Sequence, residues 1–106
     1  MLDLERLAGM EADFGAEELA LILAAFREEA TNAVDALRAG WMDDAIRRDR
    51  LHFLKGSART IGARRLGDLC EELETAAPQK DGWRVLEQEL AVICEALDRG
   101  SFLKPG

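Results

Sequence analysis

The stretch LHFLKGSARTIGA, Leu51 to Ala63, carries the only histidine of the chain inside its most basic segment, with Lys55 and Gly56 three and four residues later. Advancing about 100° per residue from Ile46 gathers Phe53, Leu54, Ser57 and Ile61 within about 80° of that origin. Those residues predict the buried face of a helix that is capped by Asp43 or Asp44 and runs to about Ile61. Gly62 follows as a residue suited to a positive backbone angle. On the far side of the same helix lie Arg48, His52, Lys55 and Arg59, so the imidazole is expected in solvent.

Working outward, Leu19, Ile22, Leu23, Phe26, Val34 and Leu37 recur at three- and four-residue steps, with Ala30 and Ala33 between them. This predicts a long amphipathic helix over 16–39, terminated by Gly40. Downstream, Leu66, Leu69, Cys70, Leu73, Ala76 and Ala77 predict another helix that Pro78 ends, and Gln79 to Gly82 a turn with Asp81 as cap. Trp83, Leu86, Leu90, Ile93, Cys94 and Leu97 predict a last helix closing near Gly100. Leu2, Leu4 and Leu7 suggest one or two further turns packed across the bundle end. No segment alternates like a strand, and the connections are short. The expected fold is all-α: an antiparallel up-down four-helix bundle with a short additional N-terminal helix, one domain over 1–106 with its core at about 16–99.

The 106 residues suffice for one self-sufficient core, and 48% apolar with 33% charged residues is an ordinary globular composition. No apolar run approaches the roughly 20 residues of a membrane span, and MLDLERL lacks the layout of a secretory signal, so a cytoplasmic, monomeric protein is expected. Cys70 and Cys94 sit at apolar positions of helical patterns and read as small core hydrophobes. The net charge of −7 hides a local +6 over Arg47 to Arg65. Such a narrow basic island on an acidic chain suits a local acidic pocket better than a nucleic acid.

An exposed histidine ordinarily needs no explanation. Gly56 changes the reading, because a glycine in an exposed helix interior costs about 0.8–1 kcal/mol relative to alanine. What it gives is space beside His52, for another protein's active site and for a bulky tetrahedral group. Lys55, at i+3, disfavours imidazolium as a like charge and can attract the oxygens of a phosphoryl group on the ring nitrogen. Arg48 and Arg59 extend the positive strip and are candidate partner-docking residues.

The segment His52 to Gly62, HFLKGSARTIG, resembles the signature of histidine-containing phosphotransfer (HPt) domains, HxxKG followed by small residues and a glycine. The likeness continues through Ala63, Leu66 and LCEELE, Leu69 to Glu74. It implies that His52 takes a phosphoryl group from a receiver-domain aspartate and passes it to another receiver in a two-component phosphorelay. Lys55 then stabilises the phosphoryl charge and Gly56 leaves room for it. The chain needs no cofactor of its own, since magnesium is expected on the receiver partner. Partners are response-regulator receiver domains, a hybrid histidine kinase, or both. In IRRDRL, Ile46 to Leu51, Arg47 and Arg50 stand near places where the family often has apolar residues, and Asp49 can pair with one of them or approach His52.

On this reading the chain is a phosphorelay intermediate rather than a turnover enzyme, and it is too short to add an ATP-binding kinase domain. Starting at a methionine with a helix close behind, it is expected to be free-standing, the excised phosphotransfer domain of a larger kinase being the alternative. A non-catalytic helical adaptor binding a signalling partner is the rival from another class. Ser57 lies about 140° from His52 round the helix, which leaves no hydrolytic triad.

Overall fold

The computed structural model describes residues 2–40, 43–75 and 81–99, and among them every regular element is helical. The helices are α1 (Leu4–Phe14), α2 (Ala16–Ala39), α3 (Asp44–Thr60), α4 (Arg64–Thr75) and α5 (Gly82–Arg99). The four C-terminal helices close a ring, α2 against α3, α3 against α4, α4 against α5 and α5 against α2, while α1 packs on α2. Leu19, Phe26, Leu51, Leu54, Leu66, Cys70, Leu86 and Ile93 fill the space between them. Burial of such side chains stabilises by about 1.5–3 kcal/mol each.

Local chemistry fixes the boundaries. Asp43 accepts from the Ile46 N–H and starts α3, and Gly40, at φ +70°, ends α2. The α3–α4 turn is held by backbone hydrogen bonds: Gly62 N–H donates to Arg59 O at 3.2 Å and Ala63 N–H to Ala58 O at 2.8 Å, with Gly62 at φ +84°. This is a Schellman ending, and the buried pair Ala58 and Ala63 seals it. The N-terminal residues strap the same turn, with Asp3 N–H donating to Gly62 O at 2.9 Å and Arg6 Nε to Thr60 O at 3.0 Å. The opening segment is therefore a full three-turn helix, longer than its leucine spacing suggests, because α2 and this turn supply the partners that one isolated short helix lacks.

The face of α3 differs from the sequence expectation. Its buried residues are Leu51, Leu54 and Ala58, with Ile61 just beyond, whereas Ile46 and Phe53 are exposed, Phe53 by 65%, and Ser57 is only half-buried. The true apolar arc lies about 70° round from the expected one. Ile46 was a misleading origin: it belongs to the first turn, where no helix covers it. At the centre of the true arc stands Arg47. Its Nη1 donates to Leu73 O in the last turn of α4 at 2.8 Å, and its Nε and Nη2 to Asp44 at 3.2 and 2.8 Å. A cation on this carbonyl satisfies one acceptor at the C-terminal end of α4, which is why an arginine is tolerated facing the core. Asp44, not Asp49, pairs with Arg47 and Arg48 of this segment.

The expectations for Ala76, Ala77, Pro78 and Gln79 and for closure at Gly100 lie outside the described residues; α5 begins at Gly82, the last residue of the expected turn.

Two glycines separate packing from propensity. A Cβ on Gly62 would lie 2.9 Å from Asp3 Cβ and 3.2 Å from Arg6 Cβ, whereas Gly9 in α1 has nothing within 4 Å. Gly62→Ala is expected to cost about 1–3 kcal/mol. Gly9→Ala is expected to add about 0.5–1 kcal/mol. Urea denaturation checks both, and shifts of the same sign would contradict the turn geometry.

Candidate functional site

His52 projects from the middle of α3, its side chain 67% exposed. The solvent placement expected from helical phase holds despite the shift in the buried arc, since His52 lies beyond both. Its Nδ1 is 2.9 Å from Glu74 Oε1 on α4. The other carboxylate oxygen, Oε2, accepts from Lys55 Nζ at 2.9 Å. One carboxylate therefore joins the imidazole and the ammonium.

That pairing corrects the expected setting of Lys55. Its side chain is only 16% exposed, tucked between α3 and α4 with its charge met by Glu74, rather than standing free beside the ring. The hydrogen bond from Lys55 is the main reason the Glu74 carboxyl sits below the ordinary glutamate value, with the bond to His52 adding to it and burial opposing. An ionised carboxylate can only accept, so Nδ1 must be the nitrogen that carries hydrogen. The neutral ring then holds its lone pair on Nε2, the atom pointing away from Glu74.

Gly56 lies one turn beyond His52, and a Cβ built there would meet nothing within 4 Å. No packing among the described residues requires a glycine at that place. The open ground continues towards α2, where Ile22, Ala25 and Phe53 border His52 and Gly56 in one shallow hollow. Ser57 turns away from the ring and donates to Glu29 at 2.9 Å.

The two arginines expected to dock partners have partners of their own. Arg48 Nε is 3.1 Å from Asp44, and Arg59 Nη2 lies 2.9 Å from Glu71 and 3.2 Å from Asp68. Gly67 makes the Arg59 contact possible, because a Cβ there would lie 2.8 Å from Arg59 Cγ. Cys70 is buried, with burial foremost in pushing its thiol up to about 12, and both cysteines are free. Cys70 is thus an unreactive core residue, as its position in the helical pattern implied.

Glu74 is the functional candidate that sequence reasoning passed over, quoting it only within LCEELE. A signal was present: it stands four residues after Cys70, on the apolar stripe of α4 rather than opposite it, and a carboxylate there needs a cation.

The depressed Glu74 carboxyl links the site to stability. A carboxyl lowered in the folded state stabilises above its unfolded value, near 4.5, and that contribution is lost as pH falls through the lower folded value. Glu74→Gln is expected to remove this contribution, so wild type and variant should differ in urea stability at neutral pH and converge at pH values below the carboxylate range. A constant difference across that range would show that the carboxylate charge is not what joins α3 to α4.

No helix among the described residues is long and apolar enough to cross a membrane. Comparison with curated proteins and with solved structures gave no match. The family model of the Hpt domain matches residues 19–100, a span that runs from the second turn of α2 through the whole of α5 and includes His52, Lys55, Gly56 and Glu74. Hpt domains act with receiver domains and histidine kinases, and on that match the chain belongs to the Hpt domain family, with a phosphotransfer-related role in two-component signalling.

Proposed function

We propose that the chain is a histidine phosphotransfer protein, a single domain with its four long helices alternating up and down, that takes a phosphoryl group on His52 Nε2 from one receiver aspartate and gives it to another. The observation that carries this reading is the Glu74 clamp on Nδ1, which leaves the Nε2 lone pair outward on an exposed ring beside an uncrowded glycine.

In the forward step the Nε2 lone pair attacks phosphorus in line with the aspartyl oxygen. The P–N bond forms as the P–O bond breaks, and the aspartate leaves as a carboxylate with the electron pair. The Nδ1 proton stays on the ring, and the positive charge that develops on the imidazole is met by Glu74. In the reverse direction that same proton lets the imidazole depart neutral. Positioning and charge neutralisation carry most of such a transfer. Lys55, linked to the ring through the Glu74 carboxylate, is shared between Glu74 and the phosphoryl oxygens. Magnesium, held by the receiver, would supply further neutralisation of the transferring group. Gly56 admits the receiver's loops, and Ile22, Ala25 and Phe53 provide an apolar rim for docking. The protein works as a monomer in the cytoplasm.

Incubation with a phosphorylated receiver tests the proposal. Acid-labile label is expected on the wild type and absent from His52→Gln. Lys55→Ala should stay folded and slow transfer about tenfold or more. Gly56→Leu should slow it while raising helix propensity. A well-folded wild type that takes no label from any cognate receiver would leave a partner-binding adaptor as the better reading. Mass spectrometry under alkaline conditions locates the phosphate, and a site other than His52 would overturn the assignment.

A further inference from the structure

Among the described residues the basic side chains are almost all engaged. Arg27, Arg38, Arg47, Arg48, Lys55, Arg59, Arg64, Arg65, Arg84 and Arg99 each lie against a carboxylate, and Arg6 donates to a backbone carbonyl. Arg50 alone has no such partner, and its exposed side chain lines the open hollow between α2 and α3 that reaches His52. Asp49 is its chain neighbour, but consecutive residues on a helix do not face each other, and Asp49 makes no ion pair either. The other acid in the hollow, Glu29, is held by the Ser57 hydroxyl. Exposed Ile46 and Phe53 border the same ground.

Among the described residues the other basic groups are paired, and one guanidinium is left free beside the reactive ring. In water this costs nothing. Under a docked protein it does, because a covered guanidinium without a carboxylate loses its hydration and gains nothing in return. Such a residue rejects partners that fail to supply the carboxylate, which is selectivity by exclusion as much as by attraction.

We propose that Arg50 is the partner-selecting residue of the docking face, pairing with a carboxylate on the receiver domain at the border of its reactive aspartate pocket, with Phe53 and Ile46 as the apolar contacts around it. The inference rests on the phosphotransfer reading and deepens it by naming the charge that the partner must carry. Arg48 and Arg59, spent on Asp44, Asp68 and Glu71, have little left to offer a partner.

The test is the rate of phosphoryl transfer from a phosphorylated cognate receiver to the full chain, at low and at high salt. Arg50→Glu is expected to lower kcat/KM about tenfold, chiefly through KM, and to abolish or invert the salt dependence of the wild type. Arg50→Lys should retain most of the rate, since a point charge still meets an exposed carboxylate. Replacing the receiver's facing carboxylate by lysine should restore transfer to Arg50→Glu, a rescue that no purely structural role of Arg50 would produce. Urea midpoints should be the same for all three proteins. A wild type and Arg50→Glu with equal rates and equal salt slopes would overturn the inference while leaving the phosphotransfer reading in place. A shifted urea midpoint that tracked the loss of transfer would make Arg50 a structural residue and overturn it as well. A wild type that accepts nothing from the receiver would sink the phosphotransfer reading and the inference with it.

Discussion

A single carboxylate, Glu74, holds the imidazole of His52 with one oxygen and the ammonium of Lys55 with the other. The two basic groups come from one helix and the acid from the next, so the site exists only while α3 and α4 keep their register. Much of the surrounding structure serves that register. Gly62 turns the chain between them, and residues near the N-terminus fasten the turn. Arg47 reaches from α3 to the carbonyl of Leu73, the residue before Glu74, and so anchors the end of α4 where the carboxylate stands. Arg59 ties the earlier turns of α4 through Asp68 and Glu71, lying where Gly67 leaves room for it.

The same interaction decides the chemistry that the ring can do. Held by Lys55, the carboxylate remains an acceptor, and an acceptor at Nδ1 places the proton there and the lone pair at Nε2. Among the described residues no other hydrogen bond or ion pair holds His52: its side chain is largely in solvent, and the neighbouring Gly56 adds no bulk. On the proposed function the site is a fixed nitrogen presented on an open surface, and the acidic, metal-bearing half of the reaction centre arrives with the partner. A phosphotransfer protein of this design has to be selective at its docking face, because its own site has little shape with which to discriminate.

The helices were legible in the sequence because their signals are local and repeated. The leucine spacing of α2, the terminator Gly40 and the stop at Gly62 all stand where the sequence placed them, and of the two aspartates offered as cap it is Asp43 that caps α3. The exposure of His52 was legible too, since it survives a rotation of about 70° in the assumed buried face. The rotation itself was not. Ile46 and Phe53 look like core residues, and Arg47 does not, until α4 is seen to offer the Leu73 carbonyl to an arginine and the groove beside α2 is seen to stand open. Apolarity marks a residue that can be buried, and tertiary partners decide which one is. Lys55 and Glu74 show the same limit, because a pair 19 residues apart on two helices leaves no periodic trace. The spare charge of Arg50 was hidden for the complementary reason: a residue without a partner is recognised only when the partners of the others are known.

The central claim is that Glu74 fixes the Nδ1–H tautomer of His52 and leaves Nε2 as the nucleophilic atom. With one histidine in the chain, nitrogen-15 NMR of the imidazole reads this directly and without overlap. At a pH where the ring is neutral, Nδ1 should give the protonated, pyrrole-type signal and Nε2 the unprotonated, pyridine-type signal, with Glu74→Gln shifting the two towards an averaged pair. Pyrrole-type character at Nε2 in the wild type, or a tautomer mixture that Glu74→Gln leaves unchanged, would contradict the account.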